Sequence, residues 1–188
     1  IGIGCTMKRI ACHLSGVIIG YTCITQPRYR TLTRIHLYWQ CDEREQCGHC
    51  EKDDTDTVFA VKEALKRGFD DFLLIGVVGA RLDHTLGNVY ILELLDELGL
   101  NGIIIDDYSK MELVSQEPAY IDDSYAYFSL INITGIAKGI TIDNAKYPLK
   151  DGEIKCGYQY GVSNEVLMGQ KAMVIVDEGK LLLIKDYK

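Results

Sequence analysis

Apolar positions along this chain change period several times, and each change marks an element. Val58, Ala60, Val61, Ala64 and Leu65 recur at helical spacing. Asp54 or Thr55 is placed to cap that helix and Gly68 to end it. Residues 72–78, Phe-Leu-Leu-Ile-Gly-Val-Val, form an unbroken apolar run of the kind found in strands buried on both faces. Leu86, Val89, Tyr90, Leu92, Leu94, Leu95 and Leu98 define a second helix, which stops at Gly99. Residues 102–106 and 111–114 read as two further strands. Helix and strand alternating in this order predict a parallel sheet with crossover helices.

Beyond about Ser115 the pattern shifts to short strands separated by turn residues. They are expected at 125–133, 139–142, 171–176 and 180–185, the last two joined as a hairpin through Asp177-Glu178-Gly179. No helical period occurs there. The fold class predicted is therefore α/β plus all-β. An α/β domain with a mainly parallel sheet spans 1–114, and a β-sandwich spans 115–188.

Composition narrows the function. The chain has 188 residues, a net charge of −7 and 47% apolar residues, enough for one good core or two small ones sharing an interface. The acidic balance argues against a nucleic-acid partner, which calls for a basic face, and suits a cationic small molecule. No apolar run approaches the ~20 residues of a membrane span, and no basic-then-apolar leader is visible, so the expected location is the cytoplasm, with no membrane partner. Six of the seven cysteines precede residue 51, and the first 41 residues contain no Asp or Glu. Cys47-Gly48-His49-Cys50, with Cys41 and His36 nearby, offers one tight ligand pair rather than the two spaced pairs usual for zinc, so zinc is a minor reading. An odd cysteine count makes a disulfide framework equally weak.

Two strings carry the chemistry: Lys52-Asp53-Asp54-Thr55-Asp56 and Gly79-Ala80-Arg81-Leu82-Asp83-His84-Thr85. Each lies where a helix begins. Such a junction presents unpaired backbone N–H groups and a positive dipole end, which suit a phosphate. Both also carry carboxylates, so a phosphate would have to arrive with Mg²⁺. The plainer reading is that Asp and Thr merely cap two helices.

Four segments in order resemble the bacterial-type thiamine pyrophosphokinases. The first is Lys52-Asp53-Asp54-Thr55-Asp56, and the second runs from Gly79 through Arg81, Asp83, His84 and Thr85 to Asn88. The third is Gly139-Ile140-Thr141 with Lys146-Tyr147-Pro148-Leu149, and the fourth Gly161-Val162-Ser163-Asn164-Glu165. The resemblance covers about three-quarters of the chain. It implies an α/β domain, a β-sandwich and a homodimer whose active site lies between subunits. It implies, too, a Mg²⁺-dependent transfer of pyrophosphate from ATP to the hydroxyl of thiamine, giving thiamine diphosphate and AMP.

On that resemblance the residues take roles, each with a structural alternative. Asp56 reads as the metal ligand, or as a first-turn acid starting a helix. Arg81 offers a planar fork to a phosphate, or is a solvated surface arginine. Asp83 serves the metal, the nucleotide or the acceptor's proton, or caps a helix. Lys52, Asp53, Thr55 and His84 fall on the nucleotide side, where Lys52 doubles as a counter-charge and His84 as a structural histidine. Ser163 and Asn164 carry over as thiamine-side residues; alone they are an ordinary turn.

The pattern departs from the family upstream, where a Gly-Asp-Phe-Asp-Ser string, whose two aspartates complete the metal site, has no counterpart. A silent nucleotide- or thiamine-binding relative is therefore the alternative reading. A shift of reading frame would account for the same gap: suitable codons for residues 30–34, read one base earlier, encode Asp-Phe-Asp-Ser.

Overall fold

The computed structural model describes residues 54–79, 81–115 and 117–188. Two helices and nine strands follow in the order α1 (Asp56–Lys66), β1 (Asp71–Ile75), α2 (Leu82–Glu97), β2 (Asn101–Ile105), β3 (Ser109–Val114), β4 (Ala119–Asp122), β5 (Tyr125–Ile131), β6 (Ile136–Asp143), β7 (Leu149–Lys155), β8 (Lys171–Ile175) and β9 (Leu181–Tyr187). Thr55 caps α1 by accepting from the Val58 N–H at 3.3 Å. Both helices end the same way. Gly68 and Gly99 take positive φ, and the residues after them, Phe69 and Leu100, donate back to Ala64 and Leu95 carbonyls. This six-to-one closure uses carbonyls that would otherwise be left unpaired.

The strands form two sheets, β1-β2-β3-β9-β5 and β4-β8-β6-β7. Among the described residues only β1 and β2 pair in parallel, and every other pairing is antiparallel. The mainly parallel N-terminal sheet expected above is thus replaced by a mixed one. The reason lies in the link between β2 and β3. A parallel return needs a crossover of a dozen or more residues, whereas here only residues 106–108 intervene. Asp106 tightens that turn, its Oδ1 accepting from the Tyr108 and Ser109 N–H groups at 2.8 and 2.6 Å.

The expected hairpin between β8 and β9 is also corrected, because the two strands belong to different sheets. Asp177 and Glu178 donate their N–H groups to the Lys138 carbonyl, each at 3.1 Å, and the Lys138 N–H returns to the Glu178 carbonyl at 2.9 Å. The turn is pinned to β6, and Gly179 (φ +83°) redirects the chain into the other sheet. Val77 and Val78 fall outside β1, since Gly76 takes positive φ and ends it.

The five-stranded sheet is the middle of three layers. Leu74, Ile104, Met111 and Leu182 face the helices and pack with Val61, Leu92 and Leu95. Phe128, Leu130, Leu181 and Leu183 face the second sheet and pack with Ile121, Ile140, Ile154 and Val174, as in a sandwich. The run Leu181-Leu182-Leu183 is apolar throughout because successive side chains serve opposite cores. The sheet draws strands from both sides of the boundary expected after Val114.

Candidate functional site

The link between α1 and β1 is only four residues, 67–70, so α1 turns back along β1. Its N-terminus therefore lies at the carboxyl end of β1, where α2 also begins. Strand β9 is antiparallel to β3, which is antiparallel to β2, so β1, β2 and β9 all end along this same edge. In α/β architectures the carboxyl edge is where ligands gather.

Residues 76–81 join β1 to α2 and are shaped by two side chains of that helix. Asn88 Nδ2 donates to the Val77 carbonyl at 2.7 Å, with the side chain almost fully buried. Thr85 Oγ1 accepts from the Gly79 N–H at 3.1 Å and donates to the Gly79 carbonyl at 3.2 Å. Neither residue received a role from the sequence, yet Asn88 carried a signal. It falls on the stripe of Leu92 and Leu95, so a polar group was due on the buried face of α2.

Arg81 occupies the N-cap position of α2, and its side chain makes no capping hydrogen bond. Its fork grips Asp83, Nη2 to Oδ2 at 2.5 Å and Nε to Oδ1 at 3.2 Å. The hydrogen bond and charge of Asp83 raise the guanidinium pKa, while the Arg81 hydrogen bond holds the Asp83 carboxyl below the usual carboxylate range. Both side chains are exposed, and His84 beside them is exposed as well. A helix start beside an exposed arginine whose ion pair lies open to water can take an anion.

At the start of α1, Asp54 is engaged by Lys62, whose Nζ donates to both carboxylate oxygens at 2.8 Å. Thr55 acts as the cap. Asp56 is the first residue of the helix; its side chain, like Lys52 and Asp53, lies outside the described residues. So do Cys41, Cys47, Cys50 and His36 of the zinc reading. Among the described residues no group of three or more His, Cys, Asp or Glu is gathered for a metal. The Asp83 carboxylate is the kind of hard oxygen donor Mg²⁺ prefers, but it does not make a site alone.

Ser163 and Asn164 lie at the far edge of the five-stranded sheet. The N–H and carbonyl of Asn164 pair with those of Phe128 on β5, both at 2.8 Å. Its buried side chain donates to the Tyr147 carbonyl at 2.8 Å and accepts from the Tyr147 and Glu165 N–H groups at 3.0 and 2.9 Å. Asn164 is thus consumed as a staple joining two loops. Ser163 is exposed, takes φ 58° and donates its N–H to Ser129 Oγ at 3.0 Å. That left-handed conformation is uncommon for serine and marks a position held by its surroundings. Four strand spacings separate β1 from β5, roughly 19 Å, so one chain does not bring Ser163 beside the Arg81 loop.

A helix-covered mixed sheet, with two helix starts at its carboxyl edge and strands shared with a sandwich, defines a two-part class: an α/β layer joined to a β-sandwich. Two family models match successive parts of the chain. Residues 34–101 match the model described as thiamin pyrophosphokinase, catalytic domain, and residues 114–181 match thiamin pyrophosphokinase, vitamin B1 binding domain. The chain belongs to the thiamine pyrophosphokinase family. It is 28% identical over 138 residues to a thiamine pyrophosphokinase of Bacillus subtilis (strain 168), across 72% of this chain and 64% of that protein. Among solved structures, thiamine pyrophosphokinase from Bacillus subtilis superposes with a TM-score of 0.67 at 26% identity, over 73% of this chain and 65% of the other. That from Geobacillus thermodenitrificans gives 0.63 at 28%, over 73% and 64%. The yeast enzyme, at 16% identity and a TM-score of 0.54 over 62% and 39% of the two chains, shares the fold. Among the described residues no helix is long and apolar enough to cross a membrane.

Proposed function

We propose that this protein is a thiamine diphosphokinase that transfers pyrophosphate from ATP to the hydroxyl of thiamine, yielding thiamine diphosphate and AMP. The observation that carries the reading is the Arg81–Asp83 pair at the start of α2, in a chain that matches both halves of the family. ATP brings three phosphates to a carboxyl edge where helix N–H groups and Arg81 supply positive potential. The exposed Arg81–Asp83 pair is held weakly against water. A phosphate can therefore take the fork and release the Asp83 carboxylate. Asp83 is then free to accept the acceptor hydroxyl's proton as the bond to phosphorus forms and AMP departs.

Mg²⁺, with Asp56 as its proposed ligand, would neutralise phosphate charge. Lys52, Asp53, Thr55 and His84 complete the nucleotide side in this reading. Ser163 and the loop stapled by Asn164 form the thiamine side. The separation between Ser163 and the Arg81 loop supports a homodimer in which each site draws on two copies. The same reading places the chain in the cytoplasm, where ATP and Mg²⁺ are supplied.

The test is AMP release with Mg²⁺, ATP and thiamine, in the parent protein and in Asp56→Ala and Arg81→Ala. Thiamine-dependent AMP from the parent, lost by about 100-fold or more in each variant, is the expected result. One observation favours a silent relative: the upstream string bearing two aspartates is missing from the sequence. Binding of ATP and thiamine without any AMP would establish that reading instead.

A further inference from the structure

The helices cover the β1–β3 portion of their face of the five-stranded sheet, where α2 packs on β2 and β3. Beyond them the face continues over β9 and β5. Its cross-strand pairs, read toward the carboxyl edge, are Ile131 with Leu182, Ser129 with Ile184 and Tyr127 with Asp186. Ile131 and Ile184 still touch the helix-side core. Ser129 is already bonded to the Ser163 N–H. Asp186 lies one row further on, half-buried, with the exposed ring of Tyr127 opposite it and Ser109 on its other flank.

The charges around this row differ in their availability. Asp106 is occupied by the Tyr108 and Ser109 N–H groups and by the Ser109 hydroxyl. Lys146, the cation that acts on Tyr127, is matched by Glu165 at 2.6 Å. Lys185 points to the opposite face and is matched by Glu112. Among the described residues no donor or cation reaches the Asp186 carboxylate. Burial, and then the neighbouring Asp106, push its pKa above the usual value. Such a group gains from a cation, and an aromatic neighbour suits a cation that is large and flat.

We infer that Asp186, with the Tyr127 ring beside it, selects for an acceptor whose ring carries a permanent positive charge. The inference rests on the thiamine reading and adds to it the residue that recognises the thiazolium. Asp186 touches no reacting atom in this role and sets affinity for the acceptor rather than the rate of transfer.

Calorimetric titration of the full chain with thiamine, and with the uncharged 3-deaza analogue of the same shape, tests it. Asp186→Asn is expected to weaken thiamine binding about tenfold while leaving the neutral analogue, and the KM for ATP, within about twofold of the parent. Asp186→Glu, which keeps the charge, is expected to retain most of the affinity. Equal thiamine affinity in parent and Asp186→Asn would overturn the inference and leave the enzyme reading intact. Equal losses for charged and neutral ligands would overturn it too, by showing a shape effect. A parent protein that binds neither thiamine nor its analogue would remove the enzyme reading, and the inference with it.

Discussion

At the scale of single residues, the least expected group is Lys185, an almost fully buried ammonium on β9. It bonds Glu112 of β3 and lies 5.5 Å from the centre of the Tyr125 ring, and Lys110 reaches the same carboxylate at 3.3 Å. Burial lowers the Lys185 pKa, and Glu112 offsets only part of that. Burial alone would raise the Glu112 carboxyl, but Lys185 and Lys110 outweigh it and the net shift is downward. A carboxyl with a depressed folded-state pKa stabilises the fold above its unfolded value. That stability is lost as pH falls through the folded value. Glu112→Gln should therefore lower stability at neutral pH by about 3 kcal/mol, by stranding Lys185. It should also flatten the decline below about pH 4.3. Urea unfolding at pH 3–7 would show both effects. Replacing both partners, Lys185→Met together with Glu112→Leu, should be neutral or mildly stabilising, because a buried pair repays its desolvation poorly. Asn88→Ala belongs to this scale as well: it leaves the Val77 carbonyl unpaired and should cost about 1–2 kcal/mol, read as a lowered Tm.

At the scale of elements, local signals were dependable and pairing was not. Thr55, Gly68 and Gly99 marked helix ends because capping depends on one or two residues, and the same residues stand at those ends in the fold. Strands β4 and β7 escaped notice. β7 reads Leu-Lys-Asp-Gly-Glu-Ile-Lys, with Ile154 its one fully buried apolar residue, so the period-two signal is nearly silent. The partners of β3 and β9 escaped for another reason. Each strand has the composition of a buried segment, and composition does not say which sheet will bury it. The functional loop was legible as a string but not as a shape, since the bonds of Thr85 and Asn88 to residues 77–79 depend on how α2 packs. The 177–179 corner was mistaken for a hairpin because its fixed point, the Lys138 carbonyl, lies forty residues upstream. A Cβ at Gly179 would come within 2.4 Å of the Ile136 carbonyl oxygen and would need an unfavourable φ. Gly179→Ala should thus cost about 2–3 kcal/mol, whereas Gly→Ala at a hairpin tip in solvent would cost about 1. Thermal unfolding separates the two.

At the scale of the whole molecule, the central sheet ties the helical layer and the second sheet together. Leu182 and Leu183 are neighbours in sequence, yet one packs under α2 and the other inside the sandwich. The corner before β9 is tied to α2 as well, through Lys180 to Glu93 and Asp96 at 2.9 and 2.8 Å. Two layers joined by a thin linker would melt separately, each variant shifting its own transition. Layers sharing β3 and β9 lose a common wall when either core is damaged. Leu182→Ala and Leu183→Ala should therefore each lower one shared transition, by about 2–5 kcal/mol, rather than one of two. Hydrogen exchange offers the direct measurement. Amides of α2, which packs on the face of the five-stranded sheet away from the second sheet, should lose as much protection in Leu183→Ala as the amides of β6 do. Protection lost in β6 alone would mean that the layers unfold independently. Coupling of this kind holds the Arg81 loop and the Ser163 edge as parts of one rigid body, although they lie at opposite edges of the sheet.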